Sequence, residues 1–332
     1  MRNNRRKYLV VIILVLIAAG VGGILMYKGL KERKQRTEGV VYTRNPDLLQ
    51  GIVTWKGQQY RYNDHLSNYL FIGVDEYELV DTQAGERKAG QSDALFLLSY
   101  DRMTGTAVMI SIPRDTMTEI EVFLQDGSSA GMSKDHISLA YSFGDGKHGS
   151  CQLVRNAVSQ LFYDLPVSGY CALSMSGLSV IPEVIGSFEV IVPNDSLKEK
   201  QESYTKGSEV TITGENAELF VRYRDVKTAQ SALERTERQQ AFLKAALEKA
   251  EEQYEKDAGI VTQLYEKLKP YLVTSMSNDL FLELMESVYQ GGEVASWTIP
   301  GEGIEGAQYD EYHVDDKMLY EKVMETFYIR VE

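Results

Sequence analysis

Four charged residues border three apolar runs in the first half of the chain, in an arrangement suited to binding a metal ion or an anion. Asp75 follows YLFIGV, Asp93 precedes ALFLLSY, and Arg114 and Asp115 follow TAVMISI soon after its end. The runs have the length and composition of β-strands, and DRMTG between the last two has turn chemistry. If those two runs pair around the turn, paired positions add up to about 206, so Asp93 lies opposite Pro113 and beside Arg114. The four charges then meet at one edge of a sheet, where binding sites are commonly built.

A second set of charged residues lies in RYRD and in ERTERQQ. Arg222 and Arg224 are two positions apart, so they share a face only where the chain is extended, which predicts a helix end near Val221. Three polar side chains of the following segment share a helical face through i, i+3, i+4 spacing: Arg235, Arg238 and Gln239. Glu234 and Glu237 partner part of this positive charge, as in an ordinary solvated helix. These two glutamates account less well for the positive charge of Arg222 and Arg224.

Together these residue types indicate a site for a metal-bound diphosphate. Arginine offers paired donors that match phosphate oxygens, and two carboxylates with a phosphate form an ordinary Mg²⁺ coordination shell. The predicted cofactor is therefore Mg²⁺, with Mn²⁺ as the alternative. Taken singly, each aspartate is more simply explained as a turn cap that an arginine neutralises. The convergence of all four residues at one sheet edge favours the functional interpretation.

The charge distribution argues against one class of partner. The chain has 332 residues, 43% of them apolar, and a net charge of −13. So acidic a chain is a poor match for nucleic acid, and no nucleic-acid partner is predicted. Residues 1–38 nevertheless carry nine lysines and arginines against two glutamates, which leaves about −20 for the remainder. Two cysteines are too few for a disulfide scaffold, and we expect Cys151 and Cys171 to be buried thiols rather than a pair.

Residues 9–26 form an uncharged apolar stretch between two basic clusters. A helix of this length just spans a hydrocarbon core, with Tyr8 and Tyr27 at the interfaces, so we predict a transmembrane anchor over 9–27. A cleaved signal peptide is the alternative, but the stretch continues into tyrosine, lysine and glycine without a small-residue cleavage site. Basic residues flank both ends, so the positive-inside count does not decide the orientation. A short tail, one anchor and a large acidic domain fit a single-pass protein of the cell membrane with an extracellular C-terminal domain.

Strand-like and helix-like segments alternate beyond residue 66. Besides the three runs above, GYCALS, FEVIVP, VTIT and VASWTIP predict strands. The predicted helices lie at 151–162, LSVIPEVIG, ENAELFVRY, 233–256, 258–270, 277–290 and 315–326. This alternation, with one early hairpin, predicts an α/β fold: a three-layer α/β/α sandwich with a mixed central sheet, preceded by one N-terminal transmembrane helix. Residues 28–66 are polar and lack periodicity, which predicts a stalk and lead-in.

Several segments resemble the LytR-CpsA-Psr (LCP) family in order and spacing: NYLFIGVD, GQSDALFLLSYDRMTGTAVMISIPRDT, DHISLAYSFG, and TGENAELFVRYRD with ERTERQQAFL. The resemblance covers residues 68–245. It implies an α/β/α domain outside the membrane that transfers a glycopolymer, such as teichoic acid or capsular polysaccharide, from a polyprenyl-diphosphate carrier to peptidoglycan. We accordingly divide the chain into a cytoplasmic tail (1–8), the anchor (9–27), the stalk (28–66), the catalytic domain (67–250) and C-terminal helices and a strand that complete or extend it (251–332).

The resemblance also implies roles for individual positions. Asp75 and Asp93 match the metal-binding aspartates of the family. The implied diphosphate-binding residues are Arg114, Arg222, Arg224, Arg235, Arg238 and Gln239. The implied catalytic residues are Arg114, Asp115 and Asp93. Either aspartate could accept the proton of an attacking hydroxyl, but a metal-bound Asp93 would be the poorer base.

The chain departs from the family pattern at four positions. Tyr77 stands where an arginine is common, and Ala232 stands where an aspartate is common. The lysine and asparagine of the usual K-I-N-x-A-Y segment are His136 and Ser138. These departures put the metal coordination and the identity of the base in question.

Two further functions fit the same residues. A polyprenyl-diphosphate phosphatase would use water as the acceptor at the same site. A non-catalytic, lipid-binding regulator of envelope synthesis would keep the arginines without turnover. Two metal aspartates are unnecessary for binding alone, which favours transfer. The predicted partners are therefore a polyprenyl-diphosphate-linked glycan, peptidoglycan and the membrane.

Overall fold

A mixed sheet forms the centre of the fold. The computed structural model describes residues 51–75, 84–86, 88–223, 231–257, 259–281, 284, 294–305 and 309–331. Within them the strands are β1 (Val53–Trp55), β2 (Gln58–Tyr62), β3 (Leu66–Val74), β4 (Ser92–Asp101), β5 (Ala107–Ile112), β6 (Met117–Phe123), β7 (Ser129–His136), β8 (Gly169–Ser174), β9 (Phe188–Ile191), β10 (Glu209–Ile212), β11 (Leu272–Thr274), β12 (Ala295–Thr298), β13 (Gly301–Glu305), β14 (Asp310–Val314) and β15 (Tyr328–Arg330). The α-helices are α1 (Leu139–Ser142), α2 (His148–Leu161), α3 (Val180–Ile185), α4 (Ala217–Arg222), α5 (Ser231–Lys256), α6 (Ile260–Leu268) and α7 (Asp316–Phe327).

The six strands of the central sheet have the order β11–β8–β3–β4–β5–β12. Strands β3, β4 and β5 form an antiparallel meander, whereas β8 runs parallel to β3 and β12 runs parallel to β5. Strand β11 adds to the far edge antiparallel to β8. The predicted mixed α/β sheet is therefore confirmed, and the C-terminal part of the chain supplies a strand at each of its edges.

Alternate residues of β3 face opposite cores, which explains its continuous apolar run. Tyr69 and Phe71 pack in one cluster with residues of α3, α4, α5 and α6. Leu70 and Ile72 pack in the other with residues of α1, α2 and α7. All four residues are buried. Because helices cover both faces of the sheet, a polar residue within the strand would have no access to water, and polar residues collect at the strand ends.

The β4–β5 hairpin differs from its predicted register by one residue. Tyr100 pairs with Ala107, so paired positions add up to 207. The reason is the length of the turn: the Asp101 N–H donates to the Thr106 carbonyl, which closes a loop of four residues rather than five. Gly105 adopts a φ of 71° there, a conformation that favours glycine. The predicted pair of Asp93 with Pro113 is therefore not formed, since the ladder ends with Leu95 opposite Ile112.

Several strands were not predicted. Strands β1 and β2 form a hairpin inside the predicted lead-in, and β15 pairs with β2. Strands β6 and β7 form a second hairpin, and β13 and β14 a third. All of β7 apart from its last two residues is exposed, so its sequence carries no alternation of apolar and polar positions. Strand β6, by contrast, alternates buried Thr118 and Ile120 with partly buried glutamates.

Some predicted elements fall outside the described residues. The predicted anchor over 9–27 lies there, as does most of the predicted helix at 277–290. Among the residues that the structure describes, none belongs to a helix with the length and apolarity needed to cross a membrane.

Both cysteines are buried free thiols, as expected. Cys151 belongs to the core on one side of the sheet and Cys171 to the core on the other. Burial raises the pKa of both thiols, which keeps them protonated at neutral pH.

Candidate functional site

The ends of β3 and β4 bring two aspartates to one edge of the sheet. Asp75 follows β3, and its N–H donates to the Gln91 carbonyl at 3.2 Å. The Gln91 N–H in turn donates to Asp75 Oδ1 at 2.9 Å. Asp93 lies two residues further along, inside β4, with only 4% of its side chain exposed. The antiparallel pairing of β3 with β4 thus produces the predicted juxtaposition of the two carboxylates.

Arg114 reaches this edge from the residues after β5. Its Nη1 donates to Asp93 Oδ1, and its Nη2 donates to Gln91 Oε1 at 2.7 Å. Its Nε donates to Asp115 Oδ1 at 3.3 Å. The Ser138 N–H donates to the Arg114 carbonyl at 3.2 Å, which holds the backbone as well. Arg114 is therefore fixed at both ends, and the predicted convergence of Asp93, Arg114 and Asp115 is present.

Arg222 enters the site from the last turn of α4. Its Nη2 donates to the Asp75 carbonyl at 2.6 Å, and its Nη1 donates to Glu218 Oε1 at 2.9 Å. The helix ends at Arg222, and Tyr223 is extended with ψ of 132°. The predicted helix end near Val221 is therefore correct to one residue. Arg224 lies outside the described residues.

Helix α5 supplies a third arginine to the aspartates. Arg235 Nη1 lies 3.5 Å from Asp93 Oδ2, and the Arg235 side chain is 16% exposed. Asp93 is thus flanked by two guanidinium groups, one on each carboxylate oxygen. The side chain of Gln239, predicted beside Arg235, lies outside the described part of this helix.

Arg238 occupies a different place from the other arginines. It is the largest of the fully buried side chains in the described residues, at 0% exposure. Its Nε donates to the Phe220 carbonyl at 2.8 Å, while Nη1 and Nη2 donate to Ser196 Oγ and the Tyr223 carbonyl. Burial lowers its pKa to about 10. Since these donors are directed at the protein, Arg238 fastens the C-terminal end of α4, next to Arg222, instead of facing the sheet edge.

Two carboxyl groups at this sheet edge, those of Asp75 and Asp115, have raised pKa values. Burial raises the pKa of Asp75, and the negative charge of Asp93 raises it further. Burial also raises the pKa of Asp115, although Arg114 and His136 partly offset the effect. Raised pKa values at neighbouring carboxylates are typical of sites that bind a cation or transfer a proton.

The two aspartates at the sheet edge suit Mg²⁺ only if water and a substrate phosphate complete its coordination. Among the described residues no group of three or more histidines, cysteines, aspartates or glutamates is placed to hold a metal ion. Asp75 and Asp93 are two carboxylates whose charges interact. Mg²⁺ is usually held by one or two carboxylates together with water and substrate phosphates, and two aspartates satisfy that requirement.

Two of the four departures from the family pattern, His136 and Ser138, have side chains that the structure describes. His136 lies at the end of β7, with Nδ1 3.0 Å from Asp135 Oδ1 and Nε2 3.0 Å from the Asp310 carbonyl. Ser138 is buried, and its carbonyl accepts hydrogen bonds from the N–H and hydroxyl of Ser92. Tyr77 lies outside the described residues, as does the Ala232 side chain.

Two residues of the site escaped the sequence analysis. Gln91 bridges Asp75 and Arg114, and Glu218 holds Arg222. Glu218 had a signal, because it precedes Arg222 by four residues on a helix. Gln91 lies two residues before Asp93, a spacing that puts both on one side of an extended chain.

The fold and site together define an α/β protein with a cluster of arginines and carboxylates at one edge of a mixed sheet. Residues 32–326 match the LytR_cpsA_psr family, so the chain belongs to that family.

Comparisons with individual proteins agree with this membership. The chain is 25% identical over 330 residues to the polyisoprenyl-teichoic acid–peptidoglycan teichoic acid transferase TagV of Bacillus subtilis, which covers 97% of this chain and 77% of TagV. It is 31% identical over 182 residues to TagU of Bacillus cereus, a transferase of the same description, which covers 54% of this chain and 51% of TagU. The crystal structure of B. subtilis TagV matches at a TM-score of 0.56, 23% identity and coverage of 79% of this chain and 97% of that one. This structural similarity confirms the fold.

Proposed function

We propose that this protein is a membrane-anchored phosphotransferase that attaches a glycopolymer, such as a teichoic acid or a capsular or secondary wall polysaccharide, from a polyprenyl-diphosphate carrier to peptidoglycan. The observation that carries the proposal is the fixed pair of arginines at the sheet edge. Arg114 is held by Asp93 and Gln91, and Arg222 by the Asp75 carbonyl and Glu218. Membership of the family and the names of the TagV and TagU relatives support transfer of teichoic acid in particular.

Both arginines are suited to bind a diphosphate. A guanidinium group donates two parallel hydrogen bonds to phosphate oxygens, and prior orientation by neighbouring carboxylates lowers the entropy cost of doing so. Arg235 adds a further positive charge beside Asp93. These charges would stabilise the negative charge that builds on the diphosphate in the transition state.

The reaction forms one phosphodiester and breaks one diphosphate. A hydroxyl oxygen of peptidoglycan attacks the phosphorus nearest the glycan, and the bond from that phosphorus to the bridging oxygen breaks. Polyprenyl phosphate leaves with the bridging oxygen, and the glycan phosphate remains on peptidoglycan. The hydroxyl proton needs a base, and Asp115 is suited to this role because burial raises its pKa toward neutrality.

Asp75 and Asp93 are the residues that would hold Mg²⁺ or Mn²⁺. When bound, the ion would neutralise negative charge on the diphosphate. The interaction of the two carboxylate charges supports this assignment, because a cation between them relieves their repulsion. Arg114 and Arg235 also lie beside the Asp93 carboxylate and balance part of its charge.

The location of the protein also belongs to the proposal. The apolar stretch at 9–26 supports a single-pass anchor in the cell membrane, with the sheet domain on the extracellular side. Protease digestion of intact and permeabilised cells tests this topology. We expect the sheet domain to be cleaved in cells whose membrane is intact; protection until the membrane is broken would contradict it.

The function is tested with the full chain in phospholipid nanodiscs. The assay supplies a synthetic polyprenyl-diphosphate glycan, peptidoglycan oligomers and Mg²⁺, and it measures both attachment of the glycan and release of polyprenyl phosphate. We expect attachment with the wild type, its loss on chelation of divalent ions, and its recovery with Mg²⁺ or Mn²⁺. Attachment that continues at the same rate after chelation would contradict the metal requirement. It would not contradict the proposed transfer.

The same assay separates transfer from its alternatives. Release of polyprenyl phosphate without attachment would indicate a phosphatase. Tight binding of the lipid with neither product would indicate a regulator. The Arg114→Ala and Arg222→Ala variants should lose attachment. Arg61→Ala is the matched control, because Arg61 is an exposed arginine whose ion-pair partner within the described part of the chain is the exposed Asp64, at 3.6 Å.

A further inference from the structure

The hairpin of β13 and β14 is fixed next to Asp115 by its backbone. The Tyr312 N–H donates to the Asp115 carbonyl at 2.8 Å, and Tyr312 forms a parallel β-bridge with Thr116. The Tyr312 side chain is buried, and its hydroxyl donates to the Ile299 carbonyl at 2.7 Å. These contacts hold one end of the hairpin firmly against the residues that follow β5. Neither the diphosphate nor the metal requires a hairpin at this position.

An exposed aromatic ring lies on this hairpin, on the side of β7. Tyr309 is 73% exposed, the highest value among the large hydrophobic residues of the described chain. Its ring is perpendicular to that of His136, with the ring centroids 6.3 Å apart. His136 Nε2 lies 3.0 Å from the Asp310 carbonyl. We call these three residues, His136, Tyr309 and Asp310, the aromatic shelf.

The aromatic shelf lies within electrostatic reach of the candidate base. The charge of His136 lowers the pKa of Asp115, and the charge of Asp310 raises it. The Asp115 side chain is 39% exposed, whereas the Asp93 side chain beyond Arg114 is 4% exposed. Asp115 therefore contacts Arg114 through its side chain and the β13–β14 hairpin through its carbonyl, and its side chain remains partly open to solvent.

We propose that the aromatic shelf is the subsite for the acceptor saccharide. The chemistry of the shelf matches a sugar: an exposed tyrosine ring packs against the C–H face of a pyranose at low conformational cost. The exposed Asp310 carboxylate offers a polar partner for the sugar hydroxyls. A saccharide bound there places a hydroxyl beside Asp115, opposite the arginines that would hold the donor. This inference rests on the proposed function, since it names the site where that reaction takes its acceptor.

The shelf also gives a role to His136, whose ring is the one against which Tyr309 packs. The perpendicular contact of the two rings favours one orientation of the exposed tyrosine. His136 therefore acts as a positioning residue for Tyr309.

The first test measures transfer by the full chain at increasing concentrations of peptidoglycan oligomers. For Tyr309→Ala we expect the KM for the acceptor to rise about tenfold, as is typical when a single buried contact of an interface is lost. The dissociation constant of the donor lipid should stay within about twofold of the wild type, less than 1 kcal/mol. Tyr309→Phe keeps the ring and should keep the KM. Met103→Ala is the matched control, because Met103 is 70% exposed and lies in the β4–β5 turn, at the opposite end of β4 from Asp93.

A second measurement separates failure of the subsite from failure of the proposed function. Saturation-transfer NMR of a soluble peptidoglycan tetrasaccharide with the full chain, without donor, reports saccharide binding alone. We expect a signal that Tyr309→Ala abolishes and Tyr309→Phe retains. An unchanged signal and an unchanged acceptor KM in Tyr309→Ala would overturn the subsite even if transfer is observed. If the protein shows no transferase activity but the NMR signal still depends on Tyr309, the proposed reaction would be overturned. The saccharide-binding site would then be retained.

Discussion

Arg114 and Asp93 form an ion pair at the end of the central sheet, where Arg114 follows β5 and Asp93 lies near the start of β4. The β4–β5 ladder ends beside this ion pair, with Leu95 opposite Ile112. Each partner has a second contact: Gln91 accepts from Arg114, and Arg235 lies beside Asp93. The pair therefore connects the strands, the loop after β3 and the long helix α5 at one point.

Replacing Arg114 by alanine should damage both activity and stability. The site loses an oriented donor to the diphosphate, which lowers the transfer rate by a factor of about 10²–10³ if its role resembles that of one oxyanion donor. Asp93 also loses one of the two guanidinium groups that the described residues place beside its buried charge, so we expect a loss of about 1–3 kcal/mol in the free energy of unfolding. Single-turnover kinetics and urea unfolding measure the two effects. An Arg61→Ala control should change stability by less than about 1 kcal/mol, since exposed ion pairs contribute little.

Arg238 is predicted to act on the donor site through α4. Arg238→Met removes three donors from buried carbonyl and hydroxyl acceptors, and we expect a loss of about 2–4 kcal/mol in the free energy of unfolding. Arg238→Lys keeps the charge and part of the hydrogen bonding, so its loss should be smaller. In protein that remains folded, the affinity for the donor lipid should fall more in Arg238→Met than in Arg238→Lys. The reason is that Arg222 lies at the end of α4 to which Arg238 donates hydrogen bonds. Lipid titration in nanodiscs measures this order; undiminished donor affinity in a folded Arg238→Met would contradict the positioning role.

Metal binding should weaken at mildly acidic pH. Because burial and the charge of Asp93 raise the pKa of Asp75, a proton competes with Mg²⁺ at a higher pH than for an ordinary aspartate. The affinity for Mg²⁺ should therefore fall as the pH falls through this raised pKa. Calorimetric titration with Mg²⁺ at a series of pH values checks the direction. In Asp75→Asn we expect weak affinity that varies little over this pH range.

The same raised pKa of Asp75 should make the folded state more stable as the pH falls, whereas it makes Mg²⁺ binding weaker. Its carboxyl binds a proton more tightly in the folded chain than in the unfolded chain, so protonation of this one group stabilises the fold as the pH falls through the raised pKa. Asp75→Asn removes that dependence. Comparing the two proteins by urea unfolding between neutral and acidic pH isolates the contribution; a difference that grows in favour of the wild type toward neutral pH would show that the sign is wrong.

The Asp115→Asn variant tests whether Asp115 is the general base that accepts the proton of the attacking hydroxyl. At saturating donor and Mg²⁺ we expect kcat to fall by about 10²–10⁴, the usual range for a general base, with donor affinity preserved. Because the pKa of Asp115 is raised, the wild-type rate should decline as the pH falls through it, and the variant should lack this decline. An acidic decline retained in full by Asp115→Asn would assign the base elsewhere.

Much of the scaffold was predictable because its signals are local. The apolar runs of β3, β4 and β5 and the periodicity of α2 identify elements whose burial can be read from neighbouring residues. Strand β7 could not be found in this way, since it is mostly exposed and has no apolar face. Strand β6 did have a signal, because buried Thr118 and Ile120 alternate with glutamates, and the sequence analysis missed it. The hairpin register was wrong by one because a four-residue and a five-residue turn are both compatible with DRMTG.

The sequence by itself determined the family, the meander that carries the aspartates and the end of α4 at Arg222. It could do so because strand pattern, turn residues and the two-residue spacing of arginines are properties of short segments. Only the tertiary structure decided which polar groups meet. Arg222 donates to the carbonyl of Asp75, 147 residues away, and the Tyr312 N–H donates to the carbonyl of Asp115. Arg235 and Arg238 belong to the same helix, yet one faces the aspartates and the other is buried against α4. Such contacts depend on how whole elements pack, and no local pattern encodes that.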